Sequence, residues 1–160
     1  MAETEPNRFE LAQVNLGRLV APLDDPRLAD FMAALDPVNA LADAAPGFVW
    51  RLQTEEGNAT AVEAFTWDAG DSAGVIINMS VWQDLESLKA FVAADLHRSV
   101  LRRRRNWFQP MAEATVACWW VPAGHHPSPL EAEERVRHLR AHGPTPHAFT
   151  LRTGFPPPGG

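Results

Sequence analysis

Four residues of this chain, His97, Leu101, Arg104 and Phe108, are spaced +4, +3 and +4. On a helix they share one face. A histidine that titrates near neutrality can take a proton from a substrate or ligate haem iron. An arginine beside it can hold an anionic group through paired hydrogen bonds. The plainer reading of His97 is a ring satisfied by a backbone carbonyl or by Asp95. Gln13, Asn15, Arg51, Gln53, Asn78 and Ser80 are the polar members of the predicted strands, with Trp50 and Trp82 close by. If they share one sheet face, that face mixes hydrogen-bonding and aromatic groups in the manner of a pocket for a small aromatic ligand. A wet dimer interface is the competing reading. Arg102 to Arg105 are consecutive, and helical geometry fans them about 100° apart, so at most two reach one side.

Other chemistry is weakly signalled. His138 and His142 have the i, i+4 spacing of a chelating pair, with His125 and His126 before them. There is no HExxH, no CxxC and no fixed third ligand, so surface histidines and no metal are the expectation. The one cysteine, Cys118, sits in an apolar strand and reads as a buried thiol. Neither a glycine-rich phosphate loop nor a GxSxG nucleophile elbow is present, and Ser80 and Ser99 have no paired base.

The elements that must position these groups follow from periodicity and punctuation. Residues 9–16 alternate as a first strand. Asp25-Pro26 starts a helix, whose stripe is Leu28, Phe31, Met32, Leu35, Val38 and Leu41; Pro37 should kink it and Pro46-Gly47 end it. Phe48 to Gln53 is a second strand, Ala61 to Trp67 a strand or irregular edge, and Gly74 to Trp82 the strongest strand. A second helix capped by Asp84 carries Leu85, Leu88, Val92, Leu96 and Val100. Continued to Phe108 it would span about 36 Å, so a break near Ala94 or Asp95 is expected. Thr115 to Val121 is a further strand, Pro129 to His142 an amphipathic helix with Val136 and Leu139, and Ala148 to Leu151 a short extended piece.

The order β-α-β-β-α-β predicts an α+β, ferredoxin-like antiparallel sheet with helices on one face, plus an extra C-terminal helix and tail. Residues 9–151 form the single domain, and 1–8 and 152–160 are flexible ends. Val75, Ile77, Met79 and Val81 point one way in the strong strand, Ile76, Asn78, Ser80 and Trp82 the other. Trp119 and Trp120 likewise face opposite sides. Both faces therefore carry large apolar groups, which predicts a homodimer whose sheets close on each other. A formal charge of −6 argues against a nucleic-acid partner. The absence of an 18-residue apolar run argues against a membrane span, and the acidic N-terminus against a signal peptide. The expectation is a cytoplasmic protein.

The segments LAQVNLGRLVAPLDDPRLADF, LDPVNALADAAPGFVWRLQ, INMSVWQDLESLKAFV, HRSVLRRRRNWF, WWVPAGHHP and HGPTPHAFTL resemble an uncharacterised bacterial family, the domain of unknown function 3291 family. It is grouped with the dimeric α+β barrel superfamily of antibiotic-biosynthesis-monooxygenase-like proteins, and the similarity runs from about Leu11 to Leu151. The superfamily includes cofactor-free monooxygenases acting on polyketides, haem-degrading monooxygenases, haem-dependent enzymes, polyketide cyclases and lactone isomerases; fold alone does not choose among them. The resemblance implies a small-molecule pocket, with a monooxygenase- or cyclase-like activity on a small hydrophobic, polyketide- or quinone-like substrate. His97 would be catalytic, and Asn15, Trp82, Leu101, Arg104, Phe108 and Trp120 would bind the substrate. Asn15, Trp82 and His97 are similar to the Asn, Trp and His of the haem-degrading members, although the interval from Trp82 to His97 does not align with theirs. No cofactor is expected, with haem as the alternative, and a non-catalytic binding or dimerisation module as the alternative to an enzyme.

Overall fold

The computed structural model describes residues 8–53, 60, 62–94, 103–111 and 113–158. Its frame is a four-stranded antiparallel sheet of β1 (Phe9–Arg18), β2 (Phe48–Arg51), β3 (Val75–Trp82) and β4 (Val116–Pro122), in the order β2-β3-β1-β4. This is the ferredoxin-like arrangement, with crossovers leading from the central strands β1 and β3 to the edge strands β2 and β4. Leu11 opposes Trp82 and Asn15 opposes Asn78, and on the other side Gln13 opposes Cys118. The register places Leu11, Gln13, Asn15, Ile76, Asn78, Ser80, Trp82, Val116 and Trp120 on one face. Ala12, Val14, Leu16, Ile77, Met79, Val81, Trp119 and Val121 occupy the other.

Helix α1 (Ala29–Ala44) follows a short 3-10 turn at Pro26–Leu28, where the Asp25 carboxylate accepts from the Arg27 amide at 2.9 Å. The helix runs on through Pro37 and stops at Ala44. Ala45 precedes proline and is extended, at φ −72° and ψ 142°, because the proline ring disfavours helical geometry there. Gly47, at φ +83°, then turns the chain into β2, and a β-carbon there would collide with the Ser87 side chain. Helix α2 (Leu85–Val92) starts where Asp84 accepts from the Ser87 amide at 2.8 Å. Both helices lie over the first face.

Helix α3 (Pro129–His142) opens on Ser128, whose hydroxyl accepts from the Glu131 amide at 3.1 Å. It crosses the second face. Ala132, Val136 and Leu139 join Ala12, Val14, Met79, Val81 and Trp119 in one dry cluster, completed by Ala64 and Phe65. Asp68, near the end of β1, ties this cover down. It receives Arg18 at 2.8 Å and Arg140 of α3 at 2.9 and 3.1 Å.

The structure bears on four expectations. The face expected to meet a partner subunit is covered within one chain by α3, where Val14, Val81 and Trp119 are 0% exposed. Residues 62–68 take the irregular form of the two expected, supplying the core residues Ala64 and Phe65 and the turn Thr66–Asp68. The second helix ends at Val92, near the expected break. Arg104–Asn106 is a separate 3-10 turn, and Phe108 bridges to Leu19 instead of continuing a helix. The composition of the C-terminus predicts a free tail. Phe155 instead packs on the first face, where its carbonyl accepts from the Trp120 indole at 2.8 Å. Phe149 pairs with the outer edge of β4 through reciprocal Cys118–Phe149 bonds of 2.8 Å. No helix among the described residues is long and apolar enough to cross a membrane.

Candidate functional site

Between the first sheet face and helices α1 and α2 lies a cavity of about 330 Å³. Its floor is the sheet: Gln13 and Asn15 from β1, and Ile76, Asn78, Ser80 and Trp82 from β3. One wall is α1, through Phe31, Leu35 and Val38, and another is α2, through Leu88, Phe91 and Val92. Arg104, Trp107, Phe108 and Met111 close the third side, and Arg51 stands at the β2 edge. Phe31 meets Phe108 edge-on at 5.2 Å between ring centres and lies tilted 5.3 Å from Trp107, and Phe91 lies tilted 5.2 Å from Trp82. Gly17 admits the Phe108 ring, since a β-carbon there would sit 2.7 Å from it.

The floor is a hydrogen-bonded strip. The Gln13 side-chain amide donates to Asn78 Oδ1 at 3.0 Å and to Ser80 Oγ at 2.7 Å. The Trp82 indole donates to the same Ser80 oxygen at 2.8 Å. Ser80 Oγ thus accepts twice, and its own hydrogen is left to point elsewhere. Among the described residues, neither the Asn15 side chain nor the Arg104 guanidinium has a hydrogen-bond partner. Asn78 sits mid-strand in the centre of the sheet, yet its side chain is exposed. Such a position is normally packed; here it opens onto the cavity. The free valences are amide oxygens and N–H groups, a hydroxyl and a guanidinium, beside apolar and aromatic walls.

Of the residues singled out from sequence, Asn15, Trp82, Arg104 and Phe108 are brought together here, with Gln13, Arg51, Asn78 and Ser80 beside them. His97 and Leu101 lie outside the described residues. Trp120 does not line the cavity: it opposes Leu11 at the far end of β1 and is held under the tail by Phe155. Gln53 is exposed beyond the end of β2. Phe31, Leu35, Phe91 and Trp107 carry no chemical signal in the sequence. The first two are simply part of the apolar stripe of α1, and a ligand wall is indistinguishable from core until the sheet is in place.

Burial pushes the Cys118 thiol up to about 12, so it is a protonated core group rather than a nucleophile. Haem requires an axial ligand. The described lining contains no histidine, cysteine or tyrosine, and its thioether, Met111, is of the kind that holds haem iron beside a histidine. The described residues do not supply a haem site.

Several solved structures are similar in shape. They include SnoaB, a cofactor-independent oxygenase from Streptomyces nogalater, at 16% identity over 73% of this chain and 95% of that chain, with a TM-score of 0.43. The PA3566 protein of Pseudomonas aeruginosa has 11% identity over 78% and 100%, with a TM-score of 0.46. The NE2512 protein of unknown function from Nitrosomonas europaea has 14% identity over 76% and 96%, with a TM-score of 0.43. No curated protein matches the sequence. A family model described as Domain of unknown function (DUF3291) matches residues 10–160, nearly the whole chain, and the protein belongs to that family.

Proposed function

We propose that this protein binds a small, flat, oxygen-bearing aromatic molecule in the cavity and acts on it as a cofactor-independent oxygenase. The observation that carries the reading is the row of underused amide and hydroxyl groups on the floor of an aromatic-walled cavity. A purely structural sheet face would be filled with aliphatic side chains, as the opposite face is. A ligand carrying carbonyl and hydroxyl groups would pair with these half-buried and exposed groups.

The chemistry that suits this setting is oxidation of an activated carbon by molecular oxygen. The floor donors and Arg104 would stabilise the anion formed when a methylene group flanked by carbonyl or phenol-bearing rings loses a proton. The electron-rich carbon gives electrons to oxygen. One oxygen atom becomes the new carbonyl, and the other leaves as water with the two methylene hydrogens. The described lining contains no carboxylate or histidine, so the substrate's own acidity, raised by the donors, must supply the proton loss there. That same feature favours a second reading, a binding module without turnover.

The test pairs binding with oxygen uptake. Titration with a hydroxylated naphthoquinone should quench tryptophan fluorescence saturably, through Trp82 and Trp107. An activated-methylene analogue of the ligand should then drive protein-dependent oxygen consumption, with one oxygen per product. Binding without uptake selects the binding module, and no saturable quenching removes both readings.

A further inference from the structure

We propose that Glu134, His138 and His147 form a binding site for a borderline divalent cation of the zinc type, on the α3 side of the sheet. It is independent of the cavity. The sequence pairs His138 with His142 and offers no third ligand. The fold changes the set. Glu134 and His138 are one turn apart on α3, and the reversal after the helix brings His147 onto the same spot. Gly143 makes that reversal at φ +74°, and the Thr145–Ala148 bridge closes it.

One donor atom from each of the three residues lies within 4.8 Å of the others. The His147 Nε2 is 2.7 and 3.0 Å from the two Glu134 oxygens. The His138 ring centre is 4.5 Å from that of His147 and 4.4 Å from that of His142. His147 does not arrive by side-chain rotation alone. Its carbonyl accepts from Arg135 at 2.8 Å, and the following residue but one, Phe149, is paired to Cys118 at 2.8 Å in both directions. The backbone therefore holds the third ligand over the helix.

Two imidazoles and one carboxylate are the donor set of zinc and its neighbours, whereas calcium and magnesium take oxygen ligands. His142, water or both would complete the shell. Arg135 opposes the site, since its Nη1 lies 3.1 Å from His147 Nδ1. The opposition is limited, because a cation seated between His147 and Glu134 takes the place of the proton they share. The expected affinity is accordingly micromolar rather than the nanomolar of a buried structural site. Occupancy would clip the end of α3 to the loop that pairs with β4, and so fasten the cover of the second sheet face.

Full-length, tag-free protein stripped with EDTA would be titrated calorimetrically with zinc chloride, and its melting followed with and without the ion. One saturable zinc per chain is expected, with a rise in Tm that EDTA reverses. Glu134→Gln, His147→Ala and His138→Ala should each weaken binding about tenfold or more. His125→Ala and calcium chloride in place of zinc serve as controls, with no loss in the first and no binding in the second. Glu134 is exposed, so its variant will not confuse lost affinity with lost fold. Absence of saturable heat up to about millimolar zinc would overturn the proposal, as would zinc binding that survives both Glu134→Gln and His147→Ala.

Discussion

The two faces of the sheet are built from the same strands, one residue out of phase, and they have been given opposite duties. Beneath α3, Ala12, Val14, Met79, Val81 and Trp119 are at most 1% exposed and packed without a cavity-lining polar group. Beneath α1 and α2, the alternating partners Gln13, Asn15, Asn78 and Ser80 line an open cavity. Alternation along a strand lets one segment turn one set of alternate residues to a dry core and the other set to a polar-lined cavity. The comparison teaches where to look for function in such a sheet. On the proposed function, the face that underuses its hydrogen-bonding groups is the one kept for a ligand.

The largest effect should come from breaking the dry face. Trp119→Ala removes a fully buried side chain and its indole bond to Glu131, 2.8 Å long. It should cost on the order of 3–5 kcal/mol, read as a fall in the denaturation midpoint that does not depend on protein concentration. Dependence on concentration would mean that a second subunit, not α3, covers this face.

Next comes the clamp that holds α3 down. Burial alone would raise the Asp68 carboxyl, but its bonds to Arg140 and Arg18 outweigh that and hold it below the ordinary carboxylate range. The depressed value means the stabilisation is present above the unfolded value of about 3.9 and is lost as pH falls through the folded one. Asp68→Asn should therefore cost about 1.5–3 kcal/mol at pH 7. The gap from wild type should close in acid, as thermal melts from pH 7 to pH 3 will show.

On the open face the effects should reverse in kind, small on stability and large on binding. Gly17→Ala pushes the Phe108 ring aside and should weaken ligand binding about tenfold, roughly 1.4 kcal/mol, measured by tryptophan quenching. Asn15→Leu and Asn78→Leu remove only unsatisfied or half-satisfied groups. They should leave stability within about 0.5 kcal/mol of wild type while abolishing affinity for oxygen-bearing ligands. A large loss of stability from either would make the strip structural.

Much of this was legible in the sequence. Strand parity correctly separated Ile76, Asn78, Ser80 and Trp82 from their neighbours, and the helix starts at Asp25 and Asp84 are local chemistry that needs no tertiary context. The amide strip was visible as polar residues on strands. The occupant of the second face was not: α3 has a short apolar stripe on a polar helix, and only its seating over Val14 and Trp119 shows that Ala132, Val136 and Leu139 suffice to cover the sheet. Helical spacing also failed for Phe108. The chain leaves the helix before it, so its place in the cavity comes from a bridge to Leu19 rather than from a shared helical face.

The difference between the faces is tested most directly by the indole N–H resonances of a ¹⁵N-labelled sample. Trp82, bonded to Ser80, reports the cavity floor; Trp119, bonded to Glu131, reports the dry face. On titration with a hydroxylated naphthoquinone, the Trp82 indole and the side-chain amides of Asn15 and Asn78 should shift together and saturate, while the Trp119 indole stays in place. Saturable shifts at Trp119 with none at Trp82 would put the ligand on the other side of the sheet and contradict the account.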